Sequence, residues 1–121
     1  MVIIYKAKDF ESINTPEGQM IPIFINENIC VIRLNIPSGL SVPAHSHKSN
    51  IVAIVTKGKL EINHNNKREV VDEGDVFFIP ANIAVGISNP FKDNTEIITV
   101  SYPSSYKNID EFKKILKSLL R

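Results

Sequence analysis

Two adjoining segments decide how this chain folds: Gly39-Leu-Ser-Val-Pro-Ala-His45-Ser-His47 and the run Ile51-Val-Ala-Ile-Val-Thr-Lys-Gly58. The first segment carries two histidines two residues apart. Residues at that spacing on a β-strand point to the same side of a sheet, so the two imidazoles are predicted to lie side by side. The second segment is apolar at consecutive positions and ends at a glycine. That pattern is typical of a strand covered on both faces and closed by a tight turn.

The same alternation of short β-branched runs and turn residues continues along the chain. Runs of three to eight residues at such regular spacing predict an all-β sandwich or barrel. We interpret as strands the runs Val2 to Tyr5, Ile21 to Ile25, Ile29 to Ile36, Ile51 to Thr56, Leu60 to Asn63, Glu69 to Val71, Val76 to Ile79, Ile83 to Ser88 and Glu96 to Tyr102.

The spacing of glycines, histidines, one proline and one asparagine resembles the two motifs of the cupin family. Seven of the ten motif positions match: Gly39, His45, His47 and Gly58 in the first motif, and Gly74, Pro80 and Asn89 in the second. The resemblance implies an antiparallel double-stranded β-helix, or jelly-roll barrel, along essentially the whole chain. The other three positions differ. One of them, where Asn82 replaces a glycine, is a mild change because Asn tolerates the left-handed backbone region.

The other two departures fall on metal ligands of the family. In cupins that hold a metal, a glutamate and a third histidine join the paired histidines, and this chain has Ile51 and Val85 at those positions. The resemblance therefore implies a degenerate metal site in which His45 and His47 are the remaining ligands. Either no cofactor is bound, or one divalent transition metal (Zn, Ni, Cu, Mn or Fe) is bound with its shell completed by water, substrate or a partner. A dedicated four-ligand iron or manganese centre is not expected.

The exchange of Glu and His for Ile and Val predicts a pocket that is mostly apolar and has few polar groups, as ligand sites commonly are. The residues that we expect to line this ligand-binding pocket are His45, His47, Ile51, Ala53, Val55 and Val85. The alternative is structural. Both histidines would then bond to backbone carbonyls, and the four apolar residues would simply fill the barrel. His64 is expected to be a solvated turn residue, and Cys30 a buried small hydrophobe.

The end of the chain follows a helical period. Asn108 is a good N-cap, and Asp110 and Glu111 favour the first turn of a helix. We expect a barrel domain at residues 1–107 and an amphipathic helix at residues 108–121 that packs on the barrel or on a partner subunit. Its apolar stripe is Phe112, Ile115, Leu116, Leu119 and Leu120, and Arg121 belongs to its last turn.

Composition narrows the class of protein. The chain has 121 residues, and its 14 basic and 13 acidic residues give a net charge of +1. That balance favours neither nucleic acid nor an anionic membrane as a partner. The lone Cys30 excludes an internal disulfide and a cysteine-based zinc cluster. We expect a cytoplasmic protein. We also expect a homodimer, because more strand residues are apolar than one small barrel can bury.

Three functions are compatible with these residues. The first is a small-molecule binding protein with a degenerate metal site and little or no catalysis. The second is a metal-dependent enzyme of the dioxygenase or isomerase type with a two-histidine centre. The third is a metal-free enzyme that, like the sugar epimerases that resemble cupins, uses a histidine base. That third function needs a carboxylate to orient the histidine, and the sequence nominates none. No catalytic residue is assigned.

Overall fold

Ten antiparallel strands and one C-terminal helix make up the described part of the chain, which is residues 1–120 of a computed structural model. The elements are a 3₁₀ helix at Ala7–Asp9, β1 Ile13–Thr15, β2 Gly18–Ile25, β3 Cys30–Ile36, β4 Ser41–His45, β5 Asn50–Lys57, β6 Lys59–His64, β7 Lys67–Asp72, β8 Val76–Ile79, β9 Val85–Ser88, β10 Thr95–Tyr102 and α1 Ile109–Leu119.

The strands form two sheets that face each other. The six-stranded sheet has the order β1-β2-β3-β10-β5-β8, and the four-stranded sheet has the order β4-β9-β6-β7. Every strand pairing within them is antiparallel. Strands adjacent in sequence repeatedly change sheet, as β3 and β4 do, so the chain winds around a common interior. The predicted all-β jelly-roll barrel is confirmed.

The interior between the sheets contains two apolar clusters. The larger consists of Ile36, Ala53, Val55, Leu60 and Ile97, each at most 1% exposed. It fills part of the barrel with β-branched and aliphatic side chains from both sheets. The smaller cluster joins the six-stranded sheet to α1 through Ile25, Cys30 and Phe112. The two clusters leave part of the interior unfilled.

Two tight turns show why particular residues stand at the family's motif positions. Gly58 has φ +82°, and an added Cβ would lie 2.6 Å from the Thr95 hydroxyl oxygen and 2.9 Å from the Asn94 carbonyl oxygen. Only glycine fits there. Asn82 has φ +67°, so the substitution of asparagine for the motif glycine keeps the left-handed turn, as predicted.

Asn89 joins the ends of three strands. Its side chain is fully buried, and its Nδ2 donates to the carbonyls of Ile36 and Asp93 at 2.9 and 3.0 Å. Its Oδ1 accepts from the Phe91 amide at 3.1 Å, and its backbone pairs with Gly39 and Leu40. The asparagine of the second motif therefore fixes where β3 ends, β4 begins and β9 ends.

The C-terminal helix begins as predicted. Asn108 is the N-cap, and its Oδ1 accepts from the Glu111 amide at 2.8 Å. Phe112 is buried against the barrel, but Leu119 is 76% exposed, so the barrel covers only part of the apolar stripe. Ile115 and Leu120 are also exposed, and Arg121 lies outside the described residues.

The prediction of a strand at Val2 to Tyr5 is wrong. This run pairs with neither sheet within the described chain and is exposed, although the Tyr5 ring meets Phe24 edge-on at 5.7 Å. β-Branched residues favour a strand only where the segment can pair with the edge of a sheet. No helix in residues 1–120 is long and apolar enough to cross a membrane.

Candidate functional site

A cavity of about 500 Å³ lies between the two sheets. Its wall is mainly apolar. It comes from β2, β3, β4, β5, β8, β9, β10, α1 and the segment before α1, whereas exposed polar residues such as Ser46 and Lys48 stand at its rim. The side chains that define its interior are Ile32, Leu34, Ile51, Ala53, Phe77, Ile79, Val85, Ile87, Ile97, Tyr106, Phe112 and Leu116.

Most of the residues expected in a pocket lie in this wall. His45, His47, Ile51, Ala53 and Val85 border the cavity. Val55 does not, because it packs in the larger apolar cluster with Leu60. Val85 lies directly opposite His45 in the β4–β9 pairing, which is where the alignment with the family motifs places it.

His45 is held through both ring nitrogens. It is the last residue of β4, and its Nδ1 lies 3.0 Å from the Pro43 carbonyl oxygen. Its Nε2 lies 3.0 Å from Oε1 of Glu17. Both neighbours are hydrogen-bond acceptors, so the protonated ring makes the two bonds at once and the neutral ring makes one of them. The carboxylate and the backbone together fix the orientation of this imidazole.

Glu17 is a site residue that the sequence reasoning missed. It lies in the turn between β1 and β2, where its amide donates to the Thr15 hydroxyl at 3.0 Å and that hydroxyl donates to the Gly18 carbonyl. This turn brings the carboxylate from the edge of the six-stranded sheet to the edge of the four-stranded sheet. The sequence around Glu17 predicts only a turn. The contact with His45 depends on how the two sheets pack, which the local sequence does not show.

His47 lies beyond the end of β4, so the prediction that both histidines lie on one face of a strand is wrong. The loop nevertheless brings the rings together, with centroids 4.7 Å apart and planes at 73°. Burial lowers the pKa of His47 below its usual value, and His45 lowers it further, whereas Glu17 acts in the opposite direction. The ring borders open cavity space, so it is accessible even though protein atoms displace much of its water. His47 is therefore mainly neutral near pH 7.

The donor set does not fit the four-ligand metal centre of the family. Ile51 and Val85 carry no atom that could bind a metal, and His45 already uses Nε2 on Glu17. Among residues 1–120, no three His, Cys, Asp or Glu side chains are grouped so that they could hold an ion. The residues present therefore do not fit the metal centre that the motif resemblance implies.

Two further residues of the sequence analysis fall in different places. His64 is exposed at the end of β6, and its Nδ1 lies 3.2 Å from the Ala84 carbonyl oxygen. It does not line this cavity. Cys30 borders the cavity but is 3% exposed. Burial raises the pKa of its thiol to about 11, so the group remains a protonated, apolar part of the wall.

Helix α1 is the other contribution that sequence reasoning missed. Its residues Phe112, Leu116 and Leu119 border the cavity, and the Tyr106 ring meets Phe112 edge-on at 4.9 Å. The amphipathic period predicted that the helix docks on an apolar surface. It could not predict that this surface borders the cavity.

Several solved structures have the same fold as this chain. An RmlC-like cupin from Shewanella frigidimarina NCIMB 400 superposes with a TM-score of 0.77 at 19% identity, over 87% of this chain and 94% of that one. KdgF from a Halomonas species gives a TM-score of 0.74 at 15% identity, over 87% and 97% of the two chains. The polyketide cyclase RemF from Streptomyces resistomycificus gives 0.71 at 15% identity, over 90% and 86%. Identities this low show a shared fold only.

Comparisons of the sequence identify the family of the chain but no individual relative. No curated protein sequence matches the chain. The family model described as the cupin domain matches residues 32–101, more than half of the 121 residues. That match covers both motifs, and the two-sheet barrel around them has the family's architecture. The chain belongs to the cupin family.

Proposed function

We propose that this protein binds a small molecule in the cavity between its two sheets and catalyses little or no chemistry. The observation that carries the proposal is the cavity itself: about 500 Å³, walled mainly by apolar side chains. Glu17, His45 and His47 contribute polar groups to it. Size and composition of this kind are usual for small-molecule sites.

The fold alone does not supply a reaction. Structures that resemble this chain include a polyketide cyclase and an RmlC-like cupin, and one fold commonly hosts unrelated functions. Catalysis is disfavoured by the chain's own residues, since Ile51 and Val85 stand where the family's metal-binding members have a carboxylate and an imidazole. We propose the cytoplasm as its location, because a single cysteine allows no internal disulfide, and cell fractionation tests this.

A metal-free enzyme with a histidine base is the second candidate. The contact that favours it is the 3.0 Å approach of Glu17 to His45, which supplies the orienting carboxylate that such a mechanism needs. The Pro43 carbonyl oxygen, however, lies 3.0 Å from the other ring nitrogen of His45. A base needs a free nitrogen directed at the substrate, so we place this function second.

A cavity-filling variant tests the proposed function. Ser101 borders the cavity, is half-buried and lies opposite Ile51 in the β5–β10 pairing. A library of small apolar molecules is titrated into the labelled wild-type protein and into Ser101→Phe, with binding followed by ¹H–¹⁵N NMR. We expect ligands that shift resonances around the cavity in the wild type and bind at least tenfold more weakly to the filled variant.

Two results would contradict the proposal. Binding that is equally tight in the folded Ser101→Phe variant would place the ligand elsewhere. Stoichiometric iron, manganese, nickel or zinc in freshly purified protein, measured by elemental analysis, would favour the metal-dependent enzyme instead.

A further inference from the structure

The two histidines of the cavity differ in what they have left to offer a ligand. Both ring nitrogens of His45 face protein acceptors at 3.0 Å, the Pro43 carbonyl and the Glu17 carboxylate. Within the described chain the His47 ring touches the His45 ring edge-on but has no hydrogen-bond partner for either nitrogen, and it borders the cavity. His47 is thus the imidazole without a hydrogen-bond partner in the protein, and because the residue is exposed, its ring nitrogens can bond to water or to a ligand.

The wall restricts the body of the ligand. Aromatic rings of Phe77, Tyr106 and Phe112 and the aliphatic side chains between them supply most of the cavity surface. An apolar body buried there is favoured in proportion to the area that it removes from water. A polar group on that body is costly to bury unless it finds a partner, and His47 is placed to be that partner.

The neighbouring charges restrict the polar group. The ionised side chains that border the cavity are the Glu17 carboxylate and the Lys48 ammonium, and Lys48 is exposed at the rim. A carboxylate or a cation carried into the interior would lose its water among apolar side chains, and a carboxylate would in addition be repelled by Glu17. A neutral imidazole has one N–H and one bare nitrogen. A hydroxyl both donates and accepts, so it can bond to His47 in either tautomer.

We propose that His47, and not His45, contacts the ligand, and that the ligand is a small uncharged molecule with an apolar body and one hydroxyl, an alcohol or a phenol. This inference rests on the proposed function and names the ligand class of the same cavity. In it, Glu17 and Pro43 hold His45 as a fixed part of the wall.

Three probes of similar size test the ligand class: toluene, phenol and benzoate. Toluene is more apolar than phenol, so a purely apolar cavity binds toluene more tightly. We expect the wild-type protein to bind phenol at least as tightly as toluene, and benzoate at least tenfold more weakly than phenol. Dissociation constants are measured by ¹H–¹⁵N NMR titration at constant pH and salt.

Three substitutions test the assignment to His47. His47→Leu removes the hydrogen-bonding partner, and we expect phenol to weaken about tenfold or more while toluene binding changes less than threefold. His47→Gln keeps a donor and an acceptor and should retain most of the preference for phenol. His45→Gln should also retain it. His64→Gln, outside this cavity, is the matched control and should change no constant.

The outcomes separate this inference from the proposed function. Tighter binding of toluene than phenol in the wild type would leave the cavity as a small-molecule site but overturn the role of His47. Tighter binding of benzoate than of phenol would overturn the inference that the ligand is uncharged. Loss of the preference for phenol in His45→Gln but not in His47→Leu would exchange the histidines and refute the assignment. Absence of binding by all three probes would contradict both this inference and the proposed function.

Discussion

Replacement of Asn89 by alanine should destabilise the barrel strongly, because this side chain makes three hydrogen bonds without being exposed at all. The Ile36 carbonyl, on a residue that is 1% exposed, would lose this partner out of reach of water, at about 1–3 kcal/mol. The bonds to Asp93 and Phe91 lie nearer the surface and add about 1 kcal/mol each. The sum is about 3–5 kcal/mol. At about 4 °C per kcal/mol for a chain of this length, the melting temperature should fall by roughly 12–20 °C.

Thermal unfolding followed by circular dichroism measures this effect, and urea titration checks that the slope of the transition is unchanged. The matched control is Asn14→Ala, a change at an exposed asparagine of β1, which should alter stability by less than about 0.5 kcal/mol. If Asn89→Ala lowered the melting temperature by less than about 4 °C, the buried side chain would not be what fixes these strand ends.

Three further predictions address the site and the assembly. The double change Ile51→Glu with Val85→His should lower stability without metal, and added manganese, iron or zinc should restore about 2.7 kcal/mol at 100 times the dissociation constant; neither single variant nor the parent should show such rescue in thermal melts. The protein should be a homodimer by light scattering, and Phe78→Lys should be monomeric, because Phe78 is 51% exposed beside exposed Ile54 and Val76 on the outer face of the six-stranded sheet; a wild-type monomer at micromolar concentration would refute this. Iodoacetamide should alkylate Cys30 slowly at pH 8 and about tenfold faster per pH unit up to a pH of about 11, since burial raises the pKa of this thiol to about 11; rapid labelling of the folded protein at pH 8 would show an exposed thiolate.

The features that sequence predicts well here are those set by local chemistry. Gly58 and Asn82 occupy the left-handed turns expected of them, because backbone sterics restrict which residues can stand there. Asn108 caps α1 for an equally local reason. The resemblance to cupins depended on spacing as well, because seven motif positions from Gly39 to Asn89 match in order and at the right distances.

The features that the sequence did not predict depend on contacts between distant segments. Nothing near Glu17 shows that its carboxylate meets His45, since that contact exists only after two sheet edges approach each other. Val2 to Tyr5 has strand composition but finds no edge within the described chain. The prediction that the His45 and His47 rings lie side by side is right, but its reason is not. His47 lies in the loop after β4 and not on the strand.

Because α1 forms part of the cavity wall, the end of the chain contacts a molecule that fills the interior. Because Phe112, Leu116 and Leu119 border the cavity, a molecule that touches them favours the docked helix over its detached form by the free energy of those contacts. Local detachment of a terminal helix is usually easier than global unfolding. Amide protons of α1 would therefore exchange with solvent more slowly when the cavity is occupied, and a bulky fusion after the helix would disturb the same equilibrium from outside.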